Sequence, residues 1–119
     1  MASRKISMFS EKKFELEELQ EKIKEEFSKL FLSDIEFKEA ILRELGDTKT
    51  LLLIFEKWYL RTSSYASLVI MVSDYKGYQC ADVISTGGKE NFISLGAEEN
   101  FLKCGEDVLL KLGFNTKYF

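Results

Sequence analysis

The sequence predicts an α+β fold. It reads as an antiparallel β-meander of three or four strands with a long N-terminal helix, a second short helix and a C-terminal helix packed on one face. Three observations carry this reading. Leu16, Leu19, Ile23, Phe27 and Leu30 recur at steps of three and four among Glu, Lys and Gln, the apolar stripe of an amphipathic helix. From Thr50 to Thr86 the chain changes to short runs of aliphatic and aromatic residues broken by polar turns. Phe101, Gly105, Val108 and Leu112 then restore helical spacing.

Taken in order, Arg4 to Met8 alternates and reads as an edge strand with Ile6 and Met8 on one face. The first helix is expected from Glu11 to Phe31, about 30 Å at 1.5 Å per residue. Ser10 stands where it could cap that helix, and Phe9 and Phe14 have the spacing of a hydrophobic staple. The next segment has two readings. Ser33 and Glu36 have capping-box spacing, Phe37, Ile41 and Leu45 repeat every four residues, and Gly46 would end the turn, so a helix over 33–45 is predicted. The alternation of Ile35, Phe37, Glu39 and Ile41 is the competing strand reading.

Leu51 to Leu60 is a strand, followed by a polar turn from Arg61 to Tyr65. Ser67 to Asp74 and Tyr78 to Thr86 form a hairpin around Lys76-Gly77, glycine supplying a position that needs positive φ. In the last helix Gly113 is the expected stop, with Phe114 folding back as the apolar partner of a Schellman cap.

Facing follows from these runs. With Tyr75 opposite Tyr78, one side of the hairpin carries Leu68, Ile70, Val72, Ala81 and Val83, a core face. The other carries Val69, Met71, Ser73 and Tyr75 beside Tyr78, Cys80, Asp82 and Ile84, where a solvent face would alternate to polar residues. The long strand repeats this, with Leu51, Leu53, Phe55, Lys57 and Tyr59 on one side and Leu52, Ile54, Glu56, Trp58 and Leu60 on the other. Such a sheet needs cover on both faces. Either the second helix or the tail Asn115 to Phe119 supplies it, or the second face is an association or ligand surface. The candidate interface or ligand-facing residues are Phe55, Trp58, Tyr59, Met71, Tyr75, Tyr78 and Asp82.

Composition narrows the chemistry. The 119 residues contain no histidine, which removes imidazole bases, histidine metal sites and the Ser-His-Asp and Cys-His arrangements. Two cysteines, Cys80 and Cys104, make neither a disulfide framework nor a four-thiolate metal site, and they read as free thiols. No metal and no cofactor is expected. A net charge of -3 from 17 basic and 20 acidic side chains gives no electrostatic reason for a nucleic-acid partner. No apolar run suits a membrane span or a signal peptide, so a cytoplasmic setting is expected.

Ser85-Thr86-Gly87-Gly88-Lys89 is the one stretch that resembles a phosphate loop, but Glu90 follows the lysine where a P-loop needs Ser or Thr. It reads as a strand-ending turn, with an anion nest as the functional alternative. Glu56 and Asp82 are carboxylates within apolar strands, and the facing could put them on opposite sides of the sheet. The Glu/Lys face of the first helix is a solvated face with pairs such as Glu18–Lys22.

Phe55-Glu56-Lys57-Trp58-Tyr59, Ile84-Ser85-Thr86-Gly87-Gly88 and Phe101-Leu102 together resemble a small uncharacterised bacterial domain family, over about Leu51 to Leu112. The resemblance implies a fold and a bacterial cytoplasmic setting, and no activity. Lys89 departs from the small polar residue that usually follows the family's Gly-Gly turn, which weakens any shared role for that turn. The function expected is a non-catalytic, homodimeric binding or interaction module using the apolar and aromatic sheet face. The alternatives are a binder of a small apolar ligand or lipid, with a pocket between the sheet and the last helix, and an acidic chaperone-like partner of a larger protein.

Overall fold

The structure, a computed structural model, describes residues 3–30, 34–59, 63–87 and 97–117. In chain order its elements are β1 (Ser3–Ser10), α1 (Leu16–Ser28), β2 (Ile35–Leu45), β3 (Thr48–Tyr59), β4 (Ser64–Tyr75), β5 (Tyr78–Thr86) and α2 (Ala97–Leu112). The strands form one antiparallel sheet of five in the order β1-β5-β4-β3-β2. The α+β class stands, with five strands in place of three or four and two helices in place of three.

The segment 33–45 accounts for most of that difference, because from Ile35 it is a strand. The register slips between Phe37 and Glu39, so Lys38 is an extra residue. Ile35 and Phe37 therefore face the same side as Phe55, while after the bulge Ala40 and Leu42 take over that side and Glu39 and Ile41 point away. A bulge that changes the parity of the alternation leaves apolar residues spaced by four, which imitates a helix. Gly46 does not end a helix. With φ at 61° it opens the Gly46-Asp47 loop that joins Leu45 to its partner Thr48.

α1 is shorter than the 11–31 span expected, and a buried amide explains where it starts. Gln79, fully buried in β5, accepts the Phe14 N–H at 3.0 Å and donates to the Phe14 carbonyl at 2.8 Å and to Asp74 Oδ1 at 2.6 Å. The side chain thus pairs with residue 14 as a neighbouring strand would and holds it outside the helix. Glu15, extended at φ -65° and ψ 126°, is the N-cap. Ser10 caps nothing: its hydroxyl bonds to the Lys12 carbonyl and N–H. Phe14 stacks on Phe114 at 6.0 Å instead of stapling to Phe9, which lies in β1. Lys22 sits over the Phe14 ring at 5.6 Å, so the Glu18–Lys22 pair gives way to a cation–π contact.

Both helices lie on one face. From α1, Leu16, Leu19, Ile23 and Phe27 are buried, with the Phe27 ring 4.4 Å from Phe55. In α2, Gly105 is a close-approach site: a Cβ there would lie 3.1 Å from Val83 Cγ1 and 3.2 Å from Leu68 Cδ2. The layers therefore touch directly at this crossing. The helix ends as expected, with Gly113 at φ 107°, its N–H bonded to the Leu110 carbonyl and the Phe114 N–H to the Leu109 carbonyl. Phe114 and Leu109 are both buried. The next residue, Asn115, exchanges two backbone hydrogen bonds with Phe9, at 2.7 and 2.8 Å. Lys111 closes on Glu26 at 3.3 Å and bridges the two helices, while Lys29 holds the same carboxylate at 3.2 Å from the end of α1.

Replacing Gln79 by Leu leaves the Phe14 amide and carbonyl without their partner. The expected cost is about 2 to 3 kcal/mol, read as a lower urea midpoint at unchanged slope.

Candidate interaction face

The two faces of this sheet are unlike in cover but alike in chemistry. Leu51, Leu53, Phe55, Ala66, Leu68, Ile70, Val72, Ala81 and Val83 point to the helices and are buried. The residues between them point the other way, and neither helix lies over them. β4 is the middle strand, so each outward residue of β4 begins a row across the sheet. Val69 lies between Ile84 and Ile54, with Lys5 at the β1 edge and Glu39 at the β2 edge. Met71 lies between Asp82 and Leu52, the row ending in Ser7 and Ile41. Ser73 lies between Cys80 and Thr50, the row ending in Phe9 and Arg43.

The middle of this outer face is thus Val69, Ile54, Ile84, Met71, Leu52 and Ile41. An aromatic pair closes each end of it. Trp58 and Tyr65 meet edge to face at 5.0 Å where β4 begins, and Tyr75 and Tyr78 stack at 5.1 Å at the hairpin. Trp58, Tyr65 and Tyr75 are 42%, 52% and 49% exposed, far more than rings in a core. Aromatic residues that give large contact area at small entropic cost are the usual anchors of protein interfaces.

The charges on this face are few and placed outward from its centre. Glu56 lies 3.8 Å from Lys38, which also pairs with Glu36 at 2.8 Å. Asp82 stands beside the apolar middle, and its Oδ1 accepts the Ser7 hydroxyl at 2.6 Å. Both carboxylates lie on the outer face, which corrects the expectation of opposite sides. Two strands and four residues separate them, about 16 Å at ordinary strand spacings, so they do not act as a pair.

Of the residues singled out in the sequence, Trp58, Met71, Tyr75, Tyr78 and Asp82 share the outer face. Phe55 and Tyr59 do not. Phe55 is buried against Phe27 and Phe37, and Tyr59 faces α2, donating its hydroxyl to Asn100 Oδ1 at 3.0 Å. Strand parity decides this, because both residues share a side with Leu53. Ser85 is buried on the helix side and its hydroxyl has no partner among the described residues, while Thr86 ends β5. Gly88 and Lys89 lie outside the described residues, as does the end of the tail at 118–119. The Ser85 side chain points into the core layer, so it does not share one concave surface with its outward neighbour Thr86. Lys5, Ser7, Glu39, Ile41 and Arg43 belong to the face and were missed, the last three because their segment read as a helix. The Gly46-Asp47 pair between two apolar runs was the signal that would have found the strand.

Burial also sets the titration of three groups. Desolvation raises Cys80, on the outer face, with the nearby Asp82 charge adding to it. Desolvation likewise raises Cys104, partly offset by Lys57. Tyr59 is pushed above its ordinary range, again chiefly by burial. Both thiols are free.

The fold and this face define a class: a two-layer α+β domain with one sheet face under helices and an apolar, aromatic-ended face opposite. Among the described residues no group of three or more His, Cys, Asp or Glu could hold a metal, and no helix is long and apolar enough to cross a membrane. The chain belongs to a family described as a family of unknown function, DUF6054, whose profile matches residues 1–113. The match extends beyond the 51–112 span of the resemblance seen in the sequence and includes β1 and β2. No curated protein and no solved structure matches the chain.

Raised folded-state values fix the sign of the alkaline response. Below the unfolded thiol value, about 8.5, all three groups are neutral in both states and their burial contributes fully. As pH rises the unfolded chain loses these protons first, so stability falls, from about pH 8.5 for the thiols and about pH 10 for Tyr59. Urea midpoints at pH 7, 9 and 10.5 are expected to fall in that order, and Cys104→Ala is expected to flatten the step between pH 7 and 9.

Proposed function

We propose that this chain is a non-catalytic interaction module whose working surface is the outer face of its sheet, operating in a reducing compartment such as the cytoplasm. One observation carries the reading: both helices pack on one side, and the other side presents six aliphatic residues between two aromatic pairs. A contiguous apolar area of this kind is uncommon on a surface that meets only water. The arrangement suits burial of the whole face against another surface. The free thiols agree with a reducing setting. The contact of α2 with the sheet at Gly105 favours this reading over a ligand pocket between those layers.

Ile54→Lys tests the face directly. Because Ile54 is only half-buried, the variant is expected to keep the wild-type circular-dichroism spectrum and lose less than about 2 kcal/mol of stability. Its neighbour Leu53 is fully buried, so Leu53→Lys is expected to unfold the chain. The wild type is expected to self-associate or to take up an apolar fluorescent dye, and Ile54→Lys to do neither. A wild type that does neither, or an Ile54→Lys protein that matches it in both, would overturn the reading.

A further inference from the structure

We infer that the partner of the outer face is a second copy of this chain, stacked face to face about a two-fold axis that runs nearly along β4. This rests on the outer face being the working surface and adds what occupies it and in which orientation.

Three observations support it. The first is area. Five strands at about 4.8 Å and the ten-residue step from Tyr65 to Tyr75 make a surface of about 24 by 34 Å, or about 800 Å². That is the area each partner contributes to a standard-sized stable interface.

The second is that both sheet edges carry obstacles to strand addition, β1 at its Phe9 end and β2 along its length. Asn115 occupies the backbone of β1 at Phe9. The β2 edge carries Glu36, Lys38, Glu39, Arg43 and Glu44 and a bulge, and Glu39 Oε1 takes the Ala40 N–H at 3.1 Å. These are devices that prevent strand addition. Two copies hindered from extending each other's sheet can still stack their faces.

The third is charge. β4 is the central strand, so an axis along it keeps each row and exchanges the edges, laying β1 of one copy over β2 of the other. In the Val69 row the edges are Lys5 and Glu39, which have no ion-pair partner among the described residues. The axis therefore sets Lys5 of each copy against Glu39 of the other, twice by symmetry. An axis running across the strands would instead reverse the rows and put Lys5 against Ser7. Only the first arrangement pairs Lys5 with Glu39; the second would set Arg43 against Glu36, whose carboxylate is already held by Lys38 at 2.8 Å. An axis about 15° off β4 gives the angle of about 30° at which twisted sheets pack, and the reach of Lys and Glu spans the resulting offset. The aromatic pairs then meet their own counterparts at each end.

The test is a charge swap read by sedimentation equilibrium over the micromolar range. Wild type is expected to be a dimer. Lys5→Glu and Glu39→Lys alone each replace two attractions by two repulsions and are expected to weaken it about tenfold, while the double variant recovers most of the loss. Both positions are exposed on strand surfaces, and unchanged thermal unfolding of diluted samples checks that the fold is kept. A dimer that is lost in Ile54→Lys, but that the single charge variants do not weaken or the double variant does not recover, overturns the axis alone. A monomeric wild type whose dye uptake disappears in Ile54→Lys overturns the second copy as partner and leaves the working face standing. A dimer that survives Ile54→Lys overturns both.

Discussion

The structure depends on the packing of two helical stripes against a single face of the sheet. Phe27 on Phe55 and Gly105 against Val83 and Leu68 are its closest points. Each fully buried Leu or Phe side chain in that layer contributes about 1.5 to 3 kcal/mol, and the layer uses the apolar stripe of both helices. Neither helix has a stripe left for the opposite side. Among the described residues the outer face, built from the same kinds of residue, is thus left without a covering layer. This uncovered apolar face is a consequence of how the core is made.

The connections enforce this division. β1 and β2 occupy opposite edges and run the same way, so the chain between them must cross the whole sheet, and α1 does so on the helix side. Gln79 holds the start of that crossing by pairing with Phe14, and the Schellman turn at Gly113 returns the chain to the β1 edge at Asn115. These described segments lie on the helix side or at the β1 edge and not over the outer face. With β1 engaged by Asn115 at Phe9 and β2 carrying charges and a bulge, growth of the sheet at its sides is hindered.

The sequence misled most at the segment where tertiary pairing overrides local pattern. Phe37, Ile41 and Leu45 have helical spacing, yet the bulge at Lys38 sends Phe37 to the core and Ile41 to the outer face. A single inserted residue shifts the parity of everything after it, and no local periodicity records which partner strand imposes the shift. Phe55 and Tyr59 are a different case: their alternation puts them with Leu51 and Leu53, and only the placement of the helices makes that the covered side. Where a strand alternates without interruption, as in β4 and β5, facing was legible residue by residue down to Asp82 and Ile84. The edge charges Lys5 and Glu39 have no neighbourhood in the sequence at all, being distant along the chain and joined only by a row across five strands.

The chain alone determined that the fold is α+β, that α1 and α2 are amphipathic, that β3 to β5 are apolar on both sides, and that histidine chemistry is excluded. These are properties of composition and short-range period, which depend on side-chain identity at steps of two, three or four. The tertiary structure decided that β2 is a strand, that both helices share a face, and that Glu56 and Asp82 lie on the other. Those outcomes turn on register and on which layer each helix covers, and both are set by pairing free energies between residues tens of positions apart.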